Sequence, residues 1–305
     1  MVKKTKASKK KKTGNDFQLD HVLAGIDLML AGHNSVIGPD FLLERRAPDL
    51  TYVGHYDPDD LKKFDQAFVN QLINIRSIEK IIIPDGLNNL CQIYSKQRDQ
   101  LSAYYEKATS ALFEQHDITA AKELGNFNAH NNKILIENNA EMNIFFDYIT
   151  LYQKFSHQRN IVSWRQDNPE AITKDNKAVV SALEKAKFAL LRLDEILPHG
   201  VIRVTNLFTQ KEGLLIDRAL NASTKKGFLF ICSTLDMGDY IMTSGGGIPI
   251  DPTSPGGKST LTLFKPYFEV LQTAHCPFTH RISSCARKIY GFCLKNDALI
   301  NMTVK

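Results

Sequence analysis

The 305-residue chain lacks long apolar runs, and no acidic residue occurs in its first 14 positions. No stretch approaches the roughly 18–20 apolar residues that a membrane-spanning helix needs, so the sequence predicts no membrane span. The first apolar stretch, 22–31, is interrupted by Asp27. Because a secretory signal has an uninterrupted apolar segment directly behind its basic residues, we expect no such signal and predict a cytoplasmic protein.

Cysteine is scarce as well, with five residues at positions 91, 232, 276, 285 and 293. An odd number of cysteines without an export signal argues against a disulfide framework. We therefore expect free thiols in a reducing compartment.

The charge is distributed unevenly along the chain. Seven lysines occur within residues 1–14, and this composition predicts a disordered Lys-rich tail. Residues 15–199 contain 19 basic and 26 acidic side chains, whereas residues 200–305 contain 12 basic and seven acidic ones. With 43% hydrophobic and 23% charged residues overall, the remainder of the chain has the composition of a folded domain or domains.

Helical periodicity dominates residues 15–199, which we predict to form a helical domain. Two apolar stripes, over 87–115 and about 124–152, predict a long antiparallel helical hairpin of coiled-coil character. A further stripe predicts a helix from Asn176 to Leu197.

The pattern changes near Gly200, where alternating and β-branched segments predict strands at 201–208, 228–233, 240–243 and 288–294. We predict a smaller mixed α/β domain over 200–305. The predicted fold class is therefore α+β, with a helical part first and the mixed part second.

Lys9, Lys10, Lys11 and Lys12 form the densest run of positive charge. Lysines that neutralise phosphates release counterions, which gives a salt-dependent attraction to nucleic acid. The same run would serve as a nuclear import signal in a eukaryotic cell. A solubilising tail without a partner is the alternative.

A second hypothesis is an enzyme, a hydrolase or a transferase, with its site in the C-terminal part near a predicted loop at Gly245–Gly247. Consecutive glycines indicate positive φ or the close approach of another backbone or ligand. Asp236, Asp239 and His275 are the candidate catalytic residues. Loop carboxylates and a histidine can act as acid and base, although the two aspartates are also ordinary turn formers.

Zinc is the one cofactor that the sequence suggests, through Cys276, His280, Cys285 and Cys293. Thiolate and imidazole are the ligands of tetrahedral zinc sites. The spacing, however, lacks the close cysteine pair of common zinc motifs. Burial of Cys293 in the core is the alternative.

Two classes of function thus remain open. The first is an intracellular interaction protein that binds a protein partner or a polyanion, through the Lys tail and the basic C-terminal part. The second is the enzyme just described. The first requires only features that the sequence plainly contains.

Overall fold

A computed structural model describes residues 62–153, 158–218, 220, 225–272 and 280–295. It confirms the α+β class, with helices and a mixed sheet of five strands. The predicted Lys-rich tail lies outside these residues. In the part of the chain that is described, no helix has the length and apolar character required to traverse a bilayer.

The elements alternate between helical and strand segments along the chain. The helices are α1 (Gln66–Ile73), α2 (Leu87–Leu124), α3 (Asn139–Asp147), α4 (Asn160–Asp167), α5 (Lys177–Glu184), α6 (Pro255–Thr262), α7 (Phe268–Gln272) and α8 (His280–Lys295). The strands are β1 (Phe127–Asn128), β2 (Lys133–Ile134), β3 (Lys187–Ile196), β4 (Val201–Asn206), β5 (Lys211–Ile216), β6 (Leu229–Asp236) and β7 (Ile241–Ile250).

Helix α2 is the longest helix of the described residues and extends nine residues beyond its predicted end. Glycines in the left-handed conformation flank it, Gly86 with φ 93° before it and Gly125 with φ 83° after it. The side chain of Lys295, from α8, lies over Gly125. Its positive charge is favourable there, because the C-terminal end of α2 carries unpaired carbonyl groups.

The predicted long helical hairpin is not confirmed. After α2 the chain forms the small β1–β2 hairpin, and α3 begins only at Asn139. Asn138 caps α3 because its side-chain oxygen accepts a hydrogen bond from the backbone N–H of Glu141 at 3.0 Å. A π-helical turn, Tyr148–Tyr152, continues α3.

Five strands close into a barrel in the order β3-β4-β5-β7-β6. Neighbouring strands are antiparallel, except that β5 and β7 are parallel where Leu215 pairs with Ile241. Strand β3 has a register shift between Leu193 and Glu195, and it pairs with β6 through its first part and with β4 through its second. This bend allows one strand to belong to both sides of the barrel.

The predicted helix from Asn176 to Leu197 is wrong beyond Glu184, because β3 occupies residues 187–196. Phe188 to Leu191 are buried consecutively, since one face of β3 lines the barrel and the other is covered by helices. A continuous apolar run of this kind carries no strand periodicity. The domain division at residue 200 stays a prediction, and it would separate β3 from the strands with which it pairs.

Two further elements differ from prediction. Residues 288–294 belong to helix α8 and not to a strand. Gly245–Gly247, predicted as a loop, lie within β7. The predicted strands at 201–208 and 228–233 are confirmed as β4 and β6.

The chain between α1 and the start of α2 runs beside the barrel and pairs with the beginning of β5, where Glu79 and Lys211 form a parallel bridge. Arg192 donates to the carbonyl oxygen of Ile75 at 2.6 Å, and Lys80 pairs with Glu212 at 2.5 Å. The Cys91 thiol donates to the carbonyl oxygen of His199 at 3.3 Å. These contacts hold residues 73–94 across this side of the barrel.

Candidate polyanion-binding surface

Helix α8 buries one side against the rest of the fold. The buried side chains recur at helical spacing and are Ile282, Cys285, Ala286, Ile289, Tyr290, Cys293 and Leu294. At Gly291 the backbones come close, since a Cβ there would lie 3.0 Å from the carbonyl oxygen of Leu124. This contact sets the end of α8 firmly on the end of α2.

The opposite side of α8 is basic. Arg281, Arg287 and Lys288 are exposed, Lys295 is half-buried, and the sixteen residues of the helix contain no acidic side chain. Within the described residues, none of the three exposed cations forms an ion pair with a carboxylate. The three side chains therefore present positive charge to solvent.

An aromatic ring lies beside this basic side. Tyr267 is half-buried, and its hydroxyl is 3.4 Å from the Ser284 hydroxyl. The Lys288 ammonium lies over the Tyr267 ring, 5.9 Å from its centre, and the ring also packs against the hydrophobic core. Arg281, Ser284 and Lys288 follow one another at the spacing of helical turns, so they share one face of α8. We call these three residues, together with Tyr267, the α8 surface.

A separate cluster of polar side chains is buried where α3 meets the barrel. The Asp147 carboxylate accepts hydrogen bonds from the hydroxyls of Tyr105 at 2.8 Å, Ser233 at 3.0 Å and Ser244 at 2.5 Å. The Tyr152 and Ser233 hydroxyls are 2.7 Å apart. We call these five residues the Asp147 cluster.

Burial favours the protonated forms of Asp147 and Tyr105 in the Asp147 cluster. Burial raises the pKa of Asp147 to about 6, while the three hydroxyl donors and the charge of Arg98 act in the opposite direction. Burial likewise raises the pKa of Tyr105 well above its ordinary value. Asp147 and Tyr152 are 0% exposed, so a solvent-borne substrate has no contact with these groups. The cluster therefore joins elements of the fold.

The glycines of β7 permit this junction. A Cβ on Gly246 would lie 2.8 Å from the carbonyl oxygen of Asn143 and 2.9 Å from the Asp147 carboxyl group. Gly245 has φ 135°, a conformation that favours glycine. The predicted close approach is thus made by the backbone of α3.

The candidate catalytic residues are only partly within the described residues. Asp236 ends β6, and its carboxylate accepts from the backbone N–H of Gly238 at 3.0 Å, which is the turn interaction considered from sequence. Asp239 is exposed in the same turn. His275 lies outside the described residues, so their convergence in one site stays a prediction.

The zinc hypothesis also stays a prediction, because Cys276 lies outside the described residues. Cys285 and Cys293 are buried on α8, whereas His280 is exposed. Burial raises the pKa of both thiols, that of Cys293 to about 12, which disfavours the thiolate form. The described part of the chain contains no group of three or more histidine, cysteine or acidic residues arranged to hold a metal ion.

Lys9, Lys10, Lys11 and Lys12 lie outside the described residues, so the structure adds nothing to that prediction. The α8 surface was not found from the sequence, although a signal for it exists. Apolar residues recur through 282–294 at helical spacing, and the segment has no acidic residue. No local sequence pattern indicates that Asp147 is part of a buried polar cluster.

The strand order, with β3 to β5 as a meander and the third and fifth barrel strands parallel, defines a five-stranded Greek-key barrel of the OB type. Helix α3 packs against β7 of this barrel, and α5 packs against β6. The chain belongs to a family of unknown function, DUF7986, whose model matches residues 88–253. The match runs from the beginning of α2 past the end of β7 and ends before α8. Neither a curated protein nor a solved structure matches the chain.

Proposed function

We propose that this protein is an intracellular interaction protein that binds nucleic acid as a polyanion. The observation that carries the proposal is helix α8, which presents Arg281, Arg287 and Lys288 to solvent without an acidic residue among its sixteen. Such a surface attracts phosphates through counterion release, without regard to base sequence. The Lys-rich tail would extend the same attraction.

The barrel topology gives a second reason to place the binding surface on α8. OB barrels commonly bind oligonucleotides on the face of their second and third strands, here β4 and β5. In this protein the side chains Val201, Leu214 and Ile216 of these two strands are buried in the main hydrophobic core, so they are not accessible to a ligand. The basic side of α8 therefore offers a ligand the more accessible surface.

Neutralising two cations of α8 tests the proposal. In the variant R281Q/K288Q we expect affinity for a labelled oligonucleotide to fall about tenfold or more near 0.1 M salt. The slope of log affinity against log salt should fall by about 1.4 for a single strand, because two phosphate contacts are lost. Fluorescence anisotropy over a salt series measures both quantities.

The matched control is K174Q/K177Q, which removes two exposed lysines before and at the start of α5. It changes the net charge equally and should leave binding within about twofold. Equal losses in both double variants would mean that net charge alone matters. Unchanged binding in R281Q/K288Q would contradict the assignment to α8.

The tail makes an independent prediction. Changing all seven lysines of residues 1–14 to glutamine should weaken binding and flatten its salt dependence, because seven positive charges are removed. Losses in binding free energy that add to those of R281Q/K288Q would show that the two segments contact the nucleic acid independently. Anisotropy with the same oligonucleotide measures these losses, and unchanged affinity would show that the tail only solubilises.

A further inference from the structure

The Tyr267 ring has the properties of a platform for a flat ligand. The turn Lys265–Tyr267 is anchored next to buried Phe264, because the Tyr267 N–H donates to the Phe264 carbonyl oxygen at 2.9 Å. At the other end of the side chain, the hydroxyl contacts Ser284 of α8. A ring held at both ends loses little conformational freedom when a ligand stacks on it.

Positive charges flank this ring along α8. Arg281 and Lys288 are seven residues apart, which corresponds to about 10 Å along the helix axis. Ser284 lies between them and contacts Tyr267. Long, exposed arginine and lysine side chains at the two ends can reach phosphates on either side of a group stacked on the ring.

We infer that the α8 surface takes single-stranded nucleic acid, with one base replacing the Lys288 ammonium over the Tyr267 ring and neighbouring phosphates held by Arg281 and by the displaced Lys288. The inference rests on the proposed function and specifies its ligand. An unpaired base has a free aromatic face, whereas the bases of a duplex stack on one another. Aromatic rings interleaved with cations are the usual means by which proteins hold single strands without sequence preference.

The test compares three probes on the full chain: an oligothymidylate of about 15 nucleotides, a duplex of the same length, and heparin, which is anionic but has no bases. The variant Y267L keeps apolar bulk and removes the flat ring. We expect it to weaken oligothymidylate binding about five- to a hundredfold and heparin binding less than twofold. The variant Y267F should bind like the natural protein, because stacking does not require the hydroxyl.

A second measurement does not depend on loss of binding. The natural protein contains a single tryptophan, Trp164, which is 9% exposed. In Y267W, a stacked base should quench the new tryptophan, so oligothymidylate should lower the fluorescence while heparin should not. Folding of each variant is checked by thermal unfolding.

The outcomes separate the inference from the proposed function. If Y267L binds oligothymidylate normally, or loses oligothymidylate and heparin equally, the stacking role is wrong while polyanion binding stands. Quenching of Y267W by both ligands would likewise overturn it. If the natural protein binds none of the three probes at low salt, the proposed function itself fails.

Discussion

Replacing Gly246 with alanine is expected to destabilise the fold by about 2–3 kcal/mol, because β7 and α3 have no space for a methyl group between them. The added Cβ would lie 2.8 Å from the Asn143 carbonyl oxygen, which is backbone and cannot rotate away. Moving α3 outward would also separate Asp147 from the hydroxyls of Ser233 and Ser244, which lie on the barrel. Urea unfolding, followed by circular dichroism, measures the change.

The control for this prediction is G213A, on the neighbouring strand β5. A Cβ at Gly213 would lie 3.7 Å from Ile241 Cδ1, which is an ordinary contact. We therefore expect G213A to stay within about 1 kcal/mol of the natural protein. A variant G246A that is as stable as G213A would show that α3 yields easily and that the close approach has little structural importance.

Where helical periodicity extends over many turns, or where residue types strongly favour a strand, the sequence predicted the element correctly. Helix α2 was predicted because its buried residues, among them Tyr94, Leu101 and Leu112, alternate with exposed polar ones over many turns. Strand β6 was found because Phe228–Ser233 are aromatic and β-branched. In both cases local pattern and tertiary burial agree.

Two other elements were predicted wrongly because their local patterns did not distinguish a strand from a helix. In β3 the residues Phe188–Leu191 are all buried, so neither strand nor helix periodicity is expressed. In α8 the short apolar segment 288–294 suggested a strand, while the longer window from Ile282 shows the helical stripe. Helical recurrence needs several turns to be distinguished from a buried strand.

The buried polar junction could not have been found by local reasoning. Asp147 receives its donors from positions 42, 86 and 97 residues away along the chain. Only the pairing of β6 with β7, and the packing of α3 against them, brings these groups together. The glycine run of β7 was the single sequence signal near this site, and it indicated a close approach without identifying its partner.

Asp147 should make the stability of the protein fall as pH rises from about 4 to 6. Its pKa in the folded state is about 6, above the ordinary value of 3.8. Below pH 4 both folded and unfolded chains hold the proton, and between pH 4 and 6 only the folded chain holds it. Stability therefore decreases through this window and is constant above it, because both states are then ionised.

The variant D147N isolates this contribution. Asparagine has nearly the same shape and does not ionise, so it represents the protonated form at every pH. A shift of about two pKa units corresponds to about 3 kcal/mol. We expect the free energy of unfolding of D147N, relative to the natural protein, to rise by roughly this amount between pH 4 and 7. Other titrating groups cancel in the difference.

The change to leucine separates charge from hydrogen bonding. D147L also lacks the charge, but it leaves the hydroxyls of Tyr105, Ser233 and Ser244 buried without their acceptor. Each buried group without a partner costs about 1–3 kcal/mol, so D147L should be less stable than D147N throughout the pH range. Urea unfolding at pH 4, 5, 6 and 7 measures both variants.

A difference between D147N and the natural protein that does not change with pH would mean that Asp147 does not titrate between pH 4 and 7. Its three hydroxyl donors, together with Arg98, would then stabilise the ionised carboxylate enough to offset its burial.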